Sequence, residues 1–524
     1  MNHILTILTV LPLAVGIILI GMGQEQRRLA RGLALGCSFI SLALTLALCW
    51  KFNSASGELQ FVEQANWIPS LGVQYHLGVD GLGVLMLLLT AIVVPMSMLA
   101  SCRIEQRVPL HFALVLFLQA GLVGTFTALN FFHWFIFWEI SLIPAFFLIK
   151  LWGGPMRSSA ATQFFVYTMV GSVAMLLAFL AIFLSTESLP VENRFDFTAL
   201  AELGRNGTLS SAFSVKLGWS FLSEKRLAAI IFGAAFLGFA VKVPLVPFHT
   251  WLPAAYSEAP TGTTMLLTGL MSKMGVYGFI RILLPIFRQQ MAYERVLTPL
   301  LWLAVITIVY SAAAAFAQRD LKRILAYSSI NHLGYCLLGL FAVVRYTSNE
   351  GVSAVERTAA FNGVLLQMFN HGLTAATLFW FVGFLEQRAG GLRNLEDFGG
   401  LRRIAPIFCG LMGIALFSSL GLPGLNGFIG EFLIFKGAFA LTSWAGALAV
   451  LGLLLTAVFI LTLLQRVFNG PLNERWAKLP DLTVTERMLV LPAIVLMFVL
   501  GIYPQLLLGF LNGTVKTMVE QLTL

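Results

Sequence analysis

Apolar residues run along this chain in long stretches parted by short polar ones. The stretches fall at about 4–22, 30–50, 80–100, 110–128, 131–150, 163–184, 228–246, 261–287, 297–317, 323–344, 361–384, 407–440, 443–467 and 488–511. A helix needs about 20 apolar residues to cross the hydrocarbon core of a bilayer, so the pattern predicts about fourteen spans. Two of them carry an interruption. The seventh ends in Lys242-Val-Pro244-Leu-Val-Pro247, and the twelfth contains Ser418-Ser-Leu-Gly-Leu-Pro423-Gly-Leu-Asn-Gly427. Proline removes a helix hydrogen bond and glycine loosens the rest, which lipid tolerates only where the freed backbone faces protein or water. The breaks lie five spans apart, and paired interruptions at corresponding positions mark two structural repeats around a central pathway. Two unrelated proline kinks are the plainer alternative.

Composition narrows the class. Of 524 residues, 58% are hydrophobic and 11% charged, against roughly 25% charged in a soluble domain. A soluble enzyme, a nucleic-acid binder and a disordered scaffold are excluded; the chain is an all-α polytopic membrane protein. The net charge of +9 comes from Lys and Arg in short loops, where it sets orientation rather than attracting an acidic partner. The first stretch has no basic residue before it and Arg27, Arg28 and Arg31 after it, the order of a retained helix rather than a cleaved signal peptide. With the N-terminus outside, the inner loops hold Arg27, Arg28, Arg31, Arg103, Arg107, Lys150, Arg157, Arg319, Lys322, Arg323, Arg388, Arg393, Arg402, Arg403, Arg466, Arg475, Lys478 and Arg487. About eleven basic residues remain outside, five of them in the long 185–227 connection. Both termini are therefore expected outside. The five cysteines, Cys37, Cys49, Cys102, Cys336 and Cys409, stand at no C-x-x-C spacing, and no glycine-rich nucleotide loop is present. Neither a metal site nor a redox cofactor is expected on this chain.

Four charges fall inside apolar stretches: Glu139, Lys242, Lys273 and Glu431. Each costs at least about 2.5–3.5 kcal/mol at mid-membrane, so each needs a reason. Two buried ion pairs that fix helix register are the structural explanation. A proton relay is the functional one, because a buried lysine gives up its proton readily and a nearby carboxylate reverses that. His332 and His371 lie in otherwise apolar stretches, and either could bridge Lys273 and Glu431 as a neutral imidazole. His133 and His249 sit nearer an end or a wall and fit either role. Lys436, five residues past Glu431, snorkels outward or belongs to the exit.

The motifs themselves carry a resemblance. Phe137-Trp-Glu139-Ile-Ser-Leu-Ile-Pro144, Val241-Lys242-Val-Pro-Leu-Val-Pro-Phe-His249-Thr-Trp-Leu-Pro253, Glu258-Ala-Pro-Thr261 and Ala317-Gln-Arg-Asp-Leu-Lys-Arg-Ile-Leu-Ala-Tyr-Ser-Ser-Ile-Asn-His332 resemble the antiporter-like membrane subunits of respiratory complex I. Glu431, where sibling subunits carry lysine, and the absence of a long lateral helix select the M type, equivalent to mitochondrial subunit 4. The resemblance implies two inverted five-helix repeats, spans 4–8 and 9–13. Residues 1–100 would then hold the first three helices, 101–290 and 291–470 the repeats, and 471–524 the fourteenth helix. It implies that Glu139 and Lys242 form a modulating pair, Lys273 carries the proton, His332 and His371 link, and Glu431 is the outlet.

The resemblance further implies a proton-translocating subunit of NADH:quinone oxidoreductase in a bacterial inner membrane, with both termini periplasmic. FMN and iron–sulfur clusters would lie on other subunits. The partners would be the other complex I membrane subunits, including two antiporter-like siblings on either side, together with membrane lipids; quinone would act only indirectly. The chain departs from the family at Asn130, where an acid is usual, and at Ala254 and Tyr256, where Asp and His are usual. The rival is a subunit of a multi-chain cation/proton antiporter; a purely structural membrane spacer would not need four buried charges.

Overall fold

The computed structural model describes residues 3–187, 189–209, 223–345 and 350–523. The chain opens with α1 (Ile4–Ile20) and α2 (Arg27–Lys51), then forms a hairpin of β1 (Gln60–Ile68) and β2 (Val73–Val79). Helices α3 (Gly81–Ala100), α4 (Val108–Thr127), α5 (Phe131–Trp152) and α6 (Arg157–Ser185) follow, with the short α7 (Phe197–Arg205) after them. Next come α8 (Glu224–Lys242) and α9 (Trp251–Glu258). A long helix, α10, covers Thr261–Ile286. The second half holds α11 (Glu294–Phe316), α12 (Leu321–Val344), α13 (Glu350–Arg388), α14 (Pro406–Leu420), α15 (Asn426–Leu441) and α16 (Ser443–Val467). The chain then runs through α17 (Val484–Ile502) and α18 (Gln505–Thr523).

Among the described residues, eleven helices are long and apolar enough to cross a membrane. The sequence pattern predicts about fourteen; the difference lies in α1, in α8 and in the α14/α15 pair. Helix α1 is short, α8 is charged at both ends, and α14 and α15 are two pieces of one predicted stretch. The stretch 488–511, expected as one span, is two helices parted at Tyr503-Pro504, and α18 packs on α3 and α13. The hairpin was not foreseen. Its register pairs Glu63 with Leu77 and Ala65 with Tyr75, and Asp196 anchors it by accepting from His76 Nδ1 at 2.7 Å. Asp196 also caps α7 through Thr198 N and Ala199 N. Burial pushes that carboxyl up, but these donors and the His76 charge outweigh burial and hold it below the usual carboxylate range.

Helices apolar on every side belong in the interior. In α10, α12 and α13 nearly every residue is buried, whereas α2 and α16 bury only about a third. The loops sort to two ends. At one, Arg31 donates to the Ile104 carbonyl, Arg103 to Gln387, Arg388 to Glu486, and Trp476 to the Asp397 carbonyl. At the other, Glu63 accepts from Leu5 N, Thr514 accepts from Gly81 N, and Arg288 donates to the Gln521 carbonyl. Both described termini lie at this second end. The two interrupted helices run in opposite directions. Helix α8 enters from the second end and stops at Lys242; α14 enters from the first end and stops at Leu420, with Gly421 at φ 81° and Gly424 at φ 91° before α15 begins. Those positive φ values suit glycine and few other residues.

Candidate functional site

The site is assembled on α10. That helix opens into a π-helical turn at Leu267–Met271, just before Lys273, and into another at Phe279–Leu283. Such turns interrupt the α-helical hydrogen-bond ladder and recur at functional sites. Here the Thr268 carbonyl accepts from Lys273 Nζ and from Ser272 Oγ. Tyr256 of α9 donates to the Leu267 carbonyl at 3.0 Å, so this tyrosine supports the same turn.

From Lys273, which is 0% exposed, a line of polar groups extends to Glu431, with the two histidine rings packed against each other at its middle. Its Nζ donates to His371 Nδ1 at 2.8 Å. The His371 and His332 rings lie 5.0 Å apart, centre to centre. His332 Nδ1 stands 2.9 Å from Glu431 Oε1, and its Nε2 is 3.1 Å from Ser419 Oγ. Gln367 Nε2 donates to the same Glu431 oxygen at 3.1 Å. A neutral imidazole donates from one nitrogen and accepts at the other, so each histidine can exchange a proton with its own hydrogen-bond neighbours, and transfer from ring to ring needs a bridging group such as water. Both histidines lie between Lys273 and Glu431, where the sequence allowed either to bridge them. A cavity of about 10 Å³ lies among His332, Gln367, His371 and Glu431, room for about one water.

The break beside Glu431 is closed by protein. Asn370 donates to the Asn426 carbonyl, Asn426 donates back to the Asn370 carbonyl, and Thr374 meets Ser418 at 3.2 Å. Helix α13 thus lays polar side chains against the start of α15, while local backbone bonds from Gly421 N to Ser418 O and Leu422 N to Phe417 O close the break itself, as a membrane interior requires.

The other break presents Lys242, 2% exposed, with its Nζ 4.7 Å from the centre of the Trp138 ring. A Cβ at Gly275 of α10 would lie 2.9 Å from Val243 N and 3.2 Å from Lys242 Cβ. Glycine at that position lets the broken tip approach within two residues of Lys273. Glu139 does not join it. The carboxylate is half-buried, with Oε1 unpartnered, and its neighbour Trp138 faces the lysine instead. Among the described residues, none of Glu139, Lys242, Lys273 and Glu431 makes an ion pair with another of the four, so the two register-fixing ion pairs are not formed.

The remaining candidates stand apart. His133 packs against Tyr75 at 4.8 Å and His249 against Tyr310 at 5.2 Å, each with Nδ1 unpartnered. Lys436 binds both oxygens of Glu356 at 3.0 Å, so it belongs to the second end and not to Glu431. Asn130 caps α5 by accepting from Phe132 N at 3.1 Å. Sequence reasoning missed Gln367, Ser419 and Thr268, which are ordinary polar residues until the fold converges them. It also missed His111, which is 0% exposed with both ring nitrogens unpartnered among the described residues. No group of three or more His, Cys, Asp or Glu side chains suited to a metal occurs among the described residues.

Comparison with known proteins bears on this arrangement. The family model for NADH:quinone oxidoreductase/Mrp antiporter transmembrane proteins matches residues 128–456, which include all six candidate residues. The chain is 34% identical to NADH-quinone oxidoreductase subunit M of Rhodobacter capsulatus, over 99% of this chain and 97% of that one. It is 36% identical to F(420)H(2) dehydrogenase subunit M of Methanosarcina mazei, over 92% of each. In structure it matches a chain of respiratory complex I from Thermus thermophilus with a TM-score of 0.82 and 29% identity, covering 99% of both chains. With this fold, a family-model match over residues 128–456 and full-length likeness to M subunits, the chain belongs to the NADH:quinone oxidoreductase/Mrp antiporter transmembrane family.

Proposed function

We propose that this chain is the proton-translocating M-type subunit of NADH:quinone oxidoreductase, with Lys273 as carrier, His371 and His332 as linkers and Glu431 as outlet. The observation that carries the reading is the line from Lys273 to Glu431, with a hydrogen bond to a buried histidine at each end and the two histidine rings 5.0 Å apart between them. In this reading the subunit is driven by redox chemistry on other subunits, where FMN and iron–sulfur clusters reside, and it sits between two antiporter-like siblings in a bacterial inner membrane. Residues 101–290 and 291–470 act as the two inverted repeats, the first holding Lys273 and the second its outlet. Glu139 modulates Lys242 across Trp138, and Lys242 acts on Lys273 through the close approach at Gly275. The M-subunit relatives favour the redox complex over a stand-alone cation/proton antiporter. Co-purification with flavin and iron–sulfur subunits separates the two.

Lys242 tests the modulating role. Glu139→Gln and Lys242→Ala are expected to lower NADH:quinone turnover sharply, by about tenfold, in complexes that still assemble on native gels. Lys242→Arg is expected to be equally poor, because a guanidinium does not release its proton. Full coupled activity in Lys242→Arg would reduce the site to a fixed charge and end the proposal there.

Orientation is tested separately. With both termini periplasmic, Ala55→Cys at the second end reacts with an impermeant maleimide added outside intact cells, and Lys478→Cys reacts only after the membrane is opened. The opposite labelling inverts the proton path.

A further inference from the structure

Lys273 also stands close to the outer end of its own helix. One turn along α10 stands Tyr277, buried and donating to the Phe126 carbonyl at 3.1 Å; the next turn brings Arg281, whose guanidinium lies 5.7 Å from the Tyr277 ring centre. The π turn at Phe279–Leu283 contains Arg281, and such turns are frequently found at functional sites. Beyond Arg281 lies a cavity of about 280 Å³ lined by Asp80, Arg281, Arg205, Glu58 and Thr514 among others, at the end that holds both described termini. Lys273 and this cavity are therefore separated by two turns of one helix, about 12 Å of rise.

What stands in that short path is a buried ion pair. Arg281 binds Asp80, and the side chains are 13% and 4% exposed. Asp80 is fixed in turn, since it caps α3 by accepting from Gly83 N at 3.1 Å, and α18 braces the next residue by accepting from Gly81 N at 2.8 Å. A guanidinium keeps its charge at every accessible pH, and a fixed arginine in a narrow passage excludes protons and cations. A buried pair contributes little to stability compared with apolar packing, so its place between the carrier lysine and the outer cavity asks for another explanation.

We propose that the Arg281–Asp80 pair is an electrostatic plug that seals the outer end of α10, so that a proton on Lys273 leaves only through His371, His332 and Glu431. The inference rests on the reading of Lys273 as proton carrier. Without the plug, each proton loaded on Lys273 could run back from the outer cavity and the module would leak.

The test uses the intact complex reconstituted in vesicles, with a potassium diffusion potential imposed by valinomycin, no NADH, and a pH dye inside. Arg281→Gln is expected to raise passive proton flux at least about tenfold over wild type, and to lower protons pumped per electron while electron transfer continues. Arg281→Lys and Asp80→Asn retain a positive charge and are expected to stay tight. Should Arg281→Gln not assemble, the double variant Arg281→Gln/Asp80→Asn leaves no unpaired buried acid and is expected to leak likewise. Vesicles of either neutral variant as tight as wild type overturn the plug. Undiminished pumping in Lys273→Met would instead overturn the carrier reading, and the passive-flux result is independent of that outcome.

Discussion

Lys273→Met stops proton transfer through this subunit and lowers coupled quinone reduction at least about tenfold, the scale at which a positioned acid–base group contributes, while the complex assembles normally. Assembly survives because Lys273 has no carboxylate partner to strand among the described residues, where its Nζ meets the Thr268 carbonyl, Ser272 and His371. Methionine keeps the length and removes a group that is costly to bury. Lys273→Arg is expected to fail as fully, since arginine retains its proton and the contact to His371 Nδ1 has no room for a wider head. The measurement is the ratio of protons to electrons in sealed vesicles beside NADH:quinone turnover. A wild-type ratio in Lys273→Met removes the centre of the relay.

Much of this site is legible before folding, for a physical reason. A charge within an apolar stretch is costly, so Glu139, Lys242, Lys273 and Glu431 announce themselves, and Pro244, Pro247, Pro423 and Gly424 announce the two breaks beside Lys242 and Glu431. The partners are another matter. Gln367 and Glu431 are 64 residues apart and His332 and Glu431 are 99 apart, and nothing local specifies those contacts. The π turns of α10 are equally silent, because no residue type requires one; only the Thr268 carbonyl, used by Lys273, shows what the turn is for. The hairpin 60–79 escaped because Gln60–Ile68 mixes four polar with five apolar residues without strict alternation, and is too short and polar to read as a span. The split at Tyr503-Pro504 escaped because proline fits the first turn of a new helix and apolar residues continue on both sides.

Glu431→Gln is expected to lose most coupled activity, about tenfold or more, with normal assembly. The glutamine amide fits the same space and still meets His332 Nδ1 and Gln367 Nε2, so a loss reports the missing proton and not a missing contact. Moving a proton against roughly 200 mV takes about 4.6 kcal/mol, and an outlet that cannot titrate cannot pass that work on. Glu431→Lys is expected to do less harm than Glu431→Ala, because an amine at this position is what sibling subunits are expected to use. Proton-coupled turnover after a native-gel check decides it. Wild-type activity in Glu431→Gln would leave Glu431 as a structural acceptor for His332 and Gln367, since Lys436 already belongs to Glu356.

Glu139 lies on one stripe of α5 with Ile143 and Phe147, four and eight residues on, which are 50% and 40% exposed in the lone chain. Residues at that spacing share a helix face, and this face points away from the bundle. A carboxylate facing hydrocarbon costs at least about 2.5–3.5 kcal/mol, a cost that a polar surface packed on this face removes. On the reading proposed above, the acid that acts on Lys242 is therefore also the one whose surroundings are completed from outside the chain.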